Sequence, residues 1–205
     1  MNLAIVKKTI VGSLALGLFG LATSAQALML SISPASQVRM PGDLVSVDIL
    51  ASDLGVAVIG DFDFDIGYDS AALSFSSYSL GAGLGAPGAL GDCIDPFSDS
   101  VDCSQGDFGG AVNLAQFSYL SSAALDALQG DPLVLATLNF VVDVLAPGDF
   151  TTITFDTVWA LGNGLGFTPV PYDGTSNGII RNVPLPATAF LMLAGLAAMR
   201  SQRRR

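Results

Sequence analysis

Residues 61–69 read DFDFDIGYD and contain the clearest period-two pattern in the chain. Successive side chains of a β-strand point to opposite faces of its sheet, so Phe62, Phe64 and Ile66 share one face. The aspartates at positions 61, 63 and 65 share the other face. The stretch therefore predicts a half-buried strand within residues 56–68 whose apolar face packs against a second layer, as in a β-sandwich.

Shorter alternating segments occur on both sides of this stretch. They predict strands at 28–33, 44–50, 73–78, 111–119, 132–144 and 150–155, and one or two short strands within 170–181. Turn sequences such as MPGD at 40–43 separate them. One short helix is predicted at 121–128, with Ser121 or Ser122 as its N-cap. The pattern predicts an all-β fold over residues 28–182, an antiparallel β-sandwich with one short helix.

Residues 81–110 interrupt the alternation and are rich in Gly, Pro, Asp and Ser. They predict a long loop, and loops of this length are usually functional or flexible. Both cysteines of the chain, Cys93 and Cys103, lie in it. In an exported protein two cysteines at this spacing predict a disulfide, which stabilises by about 3 kcal/mol on the chain-entropy model.

The same loop carries the candidate binding residues. Five carboxyl groups crowd it, those of Asp92, Asp95, Asp99, Asp102 and Asp107. Carboxylate oxygens suit calcium, so a Ca²⁺ site is one interpretation, and a solvated acidic loop is the favoured one. The aromatic candidates for contact with a partner are Phe97, Phe108 and Tyr78, with local packing as the alternative for each. The aspartate face of residues 61–65 is expected to be solvated rather than metal-binding, since its side chains are spaced about 7 Å apart.

No catalytic residues are expected. Residues 174–178 (GTSNG) fit the G-x-S-x-G pattern of a hydrolase nucleophile. That nucleophile needs a base, but the chain has no histidine and residues 28–182 have no lysine. Two carboxyl groups could hydrolyse a polysaccharide, yet the single tryptophan, Trp159, offers little surface for stacking a sugar. A polysaccharide hydrolase is therefore the least favoured function.

The charge of the predicted domain is one-sided. Residues 28–182 contain 18 aspartates against two arginines, Arg39 and Arg181, a formal net charge of −16. Such a surface excludes nucleic acid as a partner, because phosphate binding needs clustered Lys and Arg. It is also expected to avoid anionic lipid headgroups.

Both ends of the chain resemble processing signals. Residues 1–27 have two lysines, an apolar run and a small-residue cleavage site at Ala25 and Ala27, which predicts a secretory signal peptide. Residues 183–205 form a second unit, with an apolar helix predicted at 187–199 and a basic tail at 200–205. The run is marginal for spanning a bilayer, and the arginines favour the cytoplasmic side. An ordinary single-span membrane anchor is the alternative interpretation.

The C-terminal unit resembles the VPLPA variant of the PEP-CTERM sorting signal. Its motif residues are Val183, Pro184, Leu185, Pro186 and Ala187. The resemblance implies recognition by an exosortase, a membrane enzyme of Gram-negative bacteria. It also implies that a transmembrane helix holds the protein transiently before it reaches the cell surface or extracellular matrix.

The domain resembles cohesin modules. The residues that carry the likeness are 38–49, then FDFDIGYD at 62–69 followed by Leu73 and Phe75, then 135–142 and PGDFTTI at 147–153. Cohesins are jelly-roll sandwiches that bind a partner module, dockerin, through one sheet face. The resemblance thus implies a dockerin-like partner, although the cysteine-bearing insertion departs from the family pattern.

Together these features predict a non-catalytic, exported surface or matrix protein that binds a protein or a carbohydrate such as extracellular polysaccharide. A passive structural component of a biofilm or envelope is the alternative.

Overall fold

The computed structural model describes residues 28–88, 93, 95, 97–166 and 168–184. These residues form two β-sheets packed face to face, with one α-helix, α1 (Ser122–Leu128). The strands are β1 (Leu28–Ser33), β2 (Ser36–Val38), β3 (Leu44–Ser52), β4 (Asp61–Tyr68), β5 (Leu73–Leu80), β6 (Ser100–Asp102), β7 (Gly106–Asp107), β8 (Ala111–Ser118), β9 (Leu133–Val142), β10 (Phe150–Gly162), β11 (Tyr172–Ser176) and β12 (Gly178–Arg181). The predicted mostly-β sandwich with one short helix is confirmed.

The sheets have five and seven strands. The first has the order β11-β1-β3-β9-β5. The second has the order β2-β12-β10-β4-β8-β6, and β7 pairs with β8 beside β6. The strand that suggested the fold, β4, lies inside the seven-stranded sheet between β10 and β8.

Two strand pairs are parallel, which the sequence-based expectation of an antiparallel sandwich did not include. β1 pairs in parallel with β11, and β2 pairs in parallel with β12. Both the first and the last described stretches of chain begin in the five-stranded sheet and continue in the seven-stranded one. The two stretches pass from one sheet to the other side by side and in the same direction. Each sheet therefore has one parallel pair, and the remaining strand pairs are antiparallel.

The core lies between the two sheets. Its largest fully buried side chains include Phe62 and Phe64 of β4 and Phe140 of β9. The Phe62 and Phe64 rings have centroids 5.0 Å apart, and the Tyr68 ring lies 5.1 Å from that of Phe140. Tyr68 at the end of β4 thus joins the two layers. Burying side chains of this size stabilises by about 1.5–3 kcal/mol each.

Helix α1 follows its sequence signals. Ser121 is the N-cap, and its hydroxyl oxygen accepts the N–H of Ala124 at 3.3 Å. Leu125 is buried under the helix. The predicted helix and its Ser121 cap are confirmed.

Three short strands were not predicted. β6 and β7 fall inside residues 81–110, which the sequence represents as a loop, and both add to the edge at β8. β2 follows β1 immediately after Pro34 and Ala35. Strands of two or three residues are too short to show an alternating pattern, so their pairing comes from contacts distant in sequence.

The signal peptide of 1–27 and residues 185–205 lie outside the described residues. Within the described part of the chain, no helix is long and apolar enough to cross a membrane.

Candidate functional site

Polar and aromatic side chains gather on the outer face of the seven-stranded sheet. Along β4, Phe62 and Phe64 point into the core while Asp61, Asp63 and Asp65 point outward and are half-buried. The predicted alternation is therefore confirmed, and the aspartate row lies at the middle of this face, between β10 and β8.

Asn113 of β8 connects two of these aspartates. It lies opposite Asp65, and its Nδ2 donates to Asp63 Oδ1 at 2.8 Å and to Asp65 Oδ1 at 3.0 Å. Its own side-chain oxygen accepts the N–H of Gln105 at 3.1 Å. Both carboxyl groups are thus held by one buried amide rather than being separately solvated. This contact depends on strand register, which the sequence alone does not show.

Trp159 projects from a β-bulge beside the aspartate row. The pairing of β10 with β4 shifts between Val158 and Ala160, which leaves Trp159 as an extra residue. A bulge bends the strand and re-aims its side chain. The indole N–H donates to Asp65 Oδ2 at 2.6 Å, while 67% of the side chain stays exposed. The ring is therefore oriented by a hydrogen bond and open to a partner.

Trp159 separates two shallow grooves. The larger, about 390 Å³, is lined by Asp63, Asp65, Asn113, Phe108 and Trp159 among others. Phe108 is 63% exposed and is placed there by the tight connection between β7 and β8, where its N–H donates to the oxygen of Ala111 at 2.8 Å.

The smaller groove, about 260 Å³, lies on the other side of Trp159 and includes Asp61. Burial raises the pKa of the Asp61 carboxyl, and the N–H of Gly164, which donates to its Oδ1 at 2.7 Å, partly offsets this effect. The two grooves and the ring between them form one surface, here called the Trp159 face. It offers an aromatic plane surrounded by carboxylate acceptors, an arrangement suited to binding a polar or positively charged partner.

The three predicted contact aromatics have different surroundings. Phe108 lines the larger groove, and Phe97 is almost fully exposed in the segment before β6. Tyr78 of β5 is half-buried, and its hydroxyl donates to Asp102 Oδ2 at 2.8 Å. Burial, followed by this hydrogen bond, raises the pKa of Tyr78. Tyr78 therefore has a structural contact between the two sheets, and binding roles for all three remain predictions.

The structure does not bring the predicted calcium ligands together. Asp95 accepts hydrogen bonds from Ser98 Oγ and the Phe97 N–H, which lower the pKa of its carboxyl. Asp102 is buried against Tyr78, and Asp107 accepts from the Tyr68 hydroxyl at 2.7 Å. Asp99 is exposed, and Asp92 lies outside the described residues.

Among the residues with described positions, no three carboxyl or thiol groups could share a metal ion. A calcium site that includes Asp92 stays a prediction.

The predicted disulfide joins Cys93 to Cys103, with Cα atoms 4.6 Å apart. The N–H of Cys103 donates to the oxygen of Ala115 at 2.8 Å, which continues the pairing of β6 with β8. The bond therefore ties the segment before β6 to the edge of the seven-stranded sheet.

The G-x-S-x-G match has no structural resemblance to a nucleophile turn. Residues 174–176 belong to β11, and Gly178 begins β12. The context is strand–turn–strand, whereas the nucleophile requires strand–turn–helix. The exclusion of a serine hydrolase made from the sequence agrees with this geometry.

Sequence reasoning did not identify the Trp159 face. It ended the strand at residue 155, because the two bulges in β10 interrupt the alternation there. The sequence offered two separate signals, the single tryptophan of the chain and the row of aspartates at 61, 63 and 65. Their proximity is visible only in the structure.

No protein-family model and no curated protein sequence matches this chain. Its fold matches solved cohesin structures. The seventh ScaB type I cohesin of Pseudobacteroides cellulosolvens has a TM-score of 0.57 at 16% identity, covering 78% of this chain and 95% of that one.

Two further cohesins give similar values. CaCohA2 of Clostridium acetobutylicum has a TM-score of 0.54 at 20% identity, covering 77% of this chain and 92% of that one. A type I cohesin–dockerin complex from Clostridium thermocellum has a TM-score of 0.57 at 14% identity, covering 77% and 99%. The described part of this chain therefore has the fold of a cohesin module.

Proposed function

We propose that this chain is a non-catalytic, exported binding module whose partner docks on the Trp159 face. The observation that carries the proposal is an exposed tryptophan held in one orientation by Asp65. A pre-oriented aromatic ring loses little conformational freedom on binding, and tryptophan is enriched among residues that dominate binding energy.

The favoured partner is a dockerin-like protein. Cohesins of the same fold have been solved in complex with dockerins. The aspartate row and the charge of −16 favour a partner that presents Lys or Arg. A guanidinium over the Trp159 ring would gain a cation–π contact and lie within reach of Asp63 and Asp65.

A catalytic role has little support. The chain has no histidine, and residues 28–182 have no lysine. The Asp63 and Asp65 carboxyls accept the Asn113 amide through their Oδ1 atoms, and Asp65 Oδ2 also accepts the Trp159 N–H, so these contacts give both carboxyls a structural role in the face.

The proposal includes the processing of both chain ends. The signal peptide would direct export, and the VPLPA unit would be recognised by an exosortase-type enzyme, which leaves the domain at the cell surface or in the extracellular matrix. What supports this part is the order of motif, apolar run and basic tail in residues 183–205.

Partner binding is tested with the Trp159→Ala variant. The partner is first captured from native cell-surface extract by crosslinking, identified, and purified. Its Kd is then measured by calorimetry. We expect Trp159→Ala to bind about 30-fold or more weakly, because tryptophan hot spots contribute about 2 kcal/mol or more.

The matched control is Tyr172→Ala, which removes an exposed aromatic ring from the five-stranded sheet. Equal affinities for wild type and Trp159→Ala would refute the site, as would an equal loss in the control.

A second candidate partner is an extracellular polysaccharide. The same ring with a neighbouring amide and carboxyls could stack a sugar and bond its hydroxyls. This candidate predicts that soluble polysaccharide quenches the fluorescence of the single tryptophan in a saturable way. The protein partner should abolish that quenching by competing for the same face. Only bulk, non-saturable association would support a passive structural role.

Processing is tested by mass spectrometry of the C-terminus of surface protein in the native cell. We expect wild type to lose the apolar run and a Pro184→Ala/Pro186→Ala variant to retain it. Wild-type protein that keeps residues 187–205 would refute exosortase cleavage.

A further inference from the structure

Strand β12, the last described strand, finishes at one end of the sandwich, where three segments of the chain are joined by backbone hydrogen bonds. The backbone N–H of Arg39 donates to the backbone oxygen of Arg181 at 2.9 Å. The backbone N–H of Gly148 donates to the backbone oxygen of Asn182 at 2.6 Å. The N–H of Gly42 donates to Val142 at 2.7 Å. Residues 38–44, 142–150 and 181–184 therefore form one surface, here called the exit end.

The exit end is apolar and also carries the domain's only cations. Six large apolar side chains with exposures of 44–70% lie on it, those of Val38, Met40, Leu44, Val144, Phe150 and Val183. Arg39 and Arg181 are the two arginines of residues 28–182, and the Arg181 guanidinium lies 5.5 Å from the Phe150 ring centroid.

Carboxyl groups lie here as well. Asp43 accepts the N–H of Met40 at 2.8 Å, and Asp149 borders Phe150. With Asp143, the exit end has three carboxyl groups against two arginines, so it is not net positive, and its affinity for a surface would be mainly apolar.

The fold leaves almost no tether between the exit end and the apolar run. Asn182 is buried, its Nδ2 donates to the oxygen of Leu145 at 2.6 Å, and its N–H donates to Asp149 at 3.0 Å. The ordered contacts thus continue to residue 182. From Pro184 to Ala187 the chain can span at most about 10 Å. Wherever the apolar run enters a bilayer, the exit end must lie close to that lipid surface.

We propose that the exit end is a lipid-contacting surface, which rests on the membrane interface while the apolar run anchors the chain. This inference rests on the anchoring step of the proposed function. The exposed apolar side chains enter the headgroup region. The Arg39 guanidinium donates through Nε to the oxygen of Leu44 and through Nη1 to that of Val38, each at 3.0 Å, and its remaining N–H groups and those of Arg181 donate to lipid phosphates. The sandwich then stands upright on the membrane.

An upright sandwich keeps the Trp159 face accessible. Residue 150 lies at the exit end, and Trp159 lies nine residues further along β10, a rise of about 30 Å. The partner-binding ring would be displayed away from lipid during anchoring.

The test uses single-tryptophan forms of residues 28–205, the chain without its predicted signal peptide, reconstituted into phosphatidylcholine vesicles that contain brominated phosphatidylcholine, a contact quencher. Three proteins are compared: wild type, Trp159→Phe/Val144→Trp and Trp159→Phe/Val56→Trp. Val144 is 70% exposed at the exit end, and Val56 is fully exposed in the connection from β3 to β4 at the opposite end.

We expect the indole at position 144 to lose about half or more of its emission, because interfacial side chains lie about 5–10 Å into the headgroup boundary. Wild type and the position-56 form should keep theirs. If the position-144 form fails a near-UV dichroism check of folding, Trp159→Phe/Phe150→Trp replaces it.

Flotation of the vesicles distinguishes failure of the lipid-contacting surface from failure of the anchoring step. Protein that floats but shows no quenching at 144 or 150 overturns the lipid-contacting surface and leaves anchoring intact. Protein that does not float overturns the anchoring step and this inference together. Neither result affects partner binding at Trp159, which is measured separately.

Discussion

Replacing Tyr78 with phenylalanine should destabilise the fold through one hydrogen bond between the two sheets. The Tyr78 hydroxyl belongs to β5, at the edge of one sheet, and donates to Asp102 Oδ2 of β6, at the edge of the other. Asp102 is 0% exposed, and its Oδ1 accepts the N–H of Ser104 at 2.9 Å. Water cannot replace the lost hydroxyl without entering the sandwich.

The expected loss follows from that burial. Leaving a buried polar oxygen without its donor costs about 1–3 kcal/mol. At about 2 kcal/mol, the melting temperature of a domain of this size falls by about 4–8 °C. Urea denaturation followed by Trp159 fluorescence, with the disulfide intact, measures the change in unfolding free energy.

Tyr68→Phe is the matched control. The Tyr68 hydroxyl also donates to an aspartate, Asp107 at 2.7 Å, but Asp107 is exposed and water can take the place of the hydroxyl. We expect a loss of about 0.5–1 kcal/mol, at the low end for a hydrogen bond. Equal losses in the two variants, or a larger loss in Tyr68→Phe, would show that burial of Asp102 does not control the energy.

Three further outcomes are expected. Reduction of Cys93–Cys103 should lower stability by about 3 kcal/mol, since the bond closes a loop with a separation of 10 residues; identical melting curves with and without reductant would contradict it. Gly60→Ala should lower stability by about 1–3 kcal/mol, because its Cβ would lie 2.6 Å from the backbone of Gly164. Gly67→Ala, which displaces only the flexible carboxyl of Asp156, should cost less in the same urea assay. Burial, then Asp107, raises the pKa of Tyr68 to about 12. The folded state therefore holds the Tyr68 proton more tightly than the unfolded state does. This difference contributes fully to the free energy of unfolding below the ordinary tyrosine pKa of about 10, and the contribution is lost as pH rises toward 12. If the urea midpoint of Tyr68→Phe falls as much as that of wild type between about pH 10 and 12, the Tyr68 proton is not the cause of the loss.

The sequence predicted the strands that have a long alternating pattern. β4, β3 and β8 appear close to their expected positions, because period-two alternation is a local property that a buried sheet face enforces. The helix cap at Ser121 is equally local, since the hydroxyl acts on a backbone N–H three residues away. The cysteine pair was predictable from count and spacing, and the likeness of 62–75 to cohesins agrees with the observed fold.

The candidate site was only partly predictable. Phe108 was identified as a contact residue and lies on the Trp159 face, and the aspartates of β4 were placed on an outer face. The Asn113 bridge and the position of Trp159 were not predicted. The first depends on the register between β4 and β8, and the second on bulges that break the alternation.

The sequence alone thus determined which segments alternate, where the helix begins, which cysteines could pair and how strongly acidic the domain is. Only the tertiary structure decided that the two arginines meet at the exit end and that Trp159 stands beside Asp65. The physical reason is distance along the chain: 94 residues separate Trp159 from Asp65, and their contact exists only because β10 pairs with β4. Local patterns select strands, while the pairing of those strands selects the neighbours that make a site.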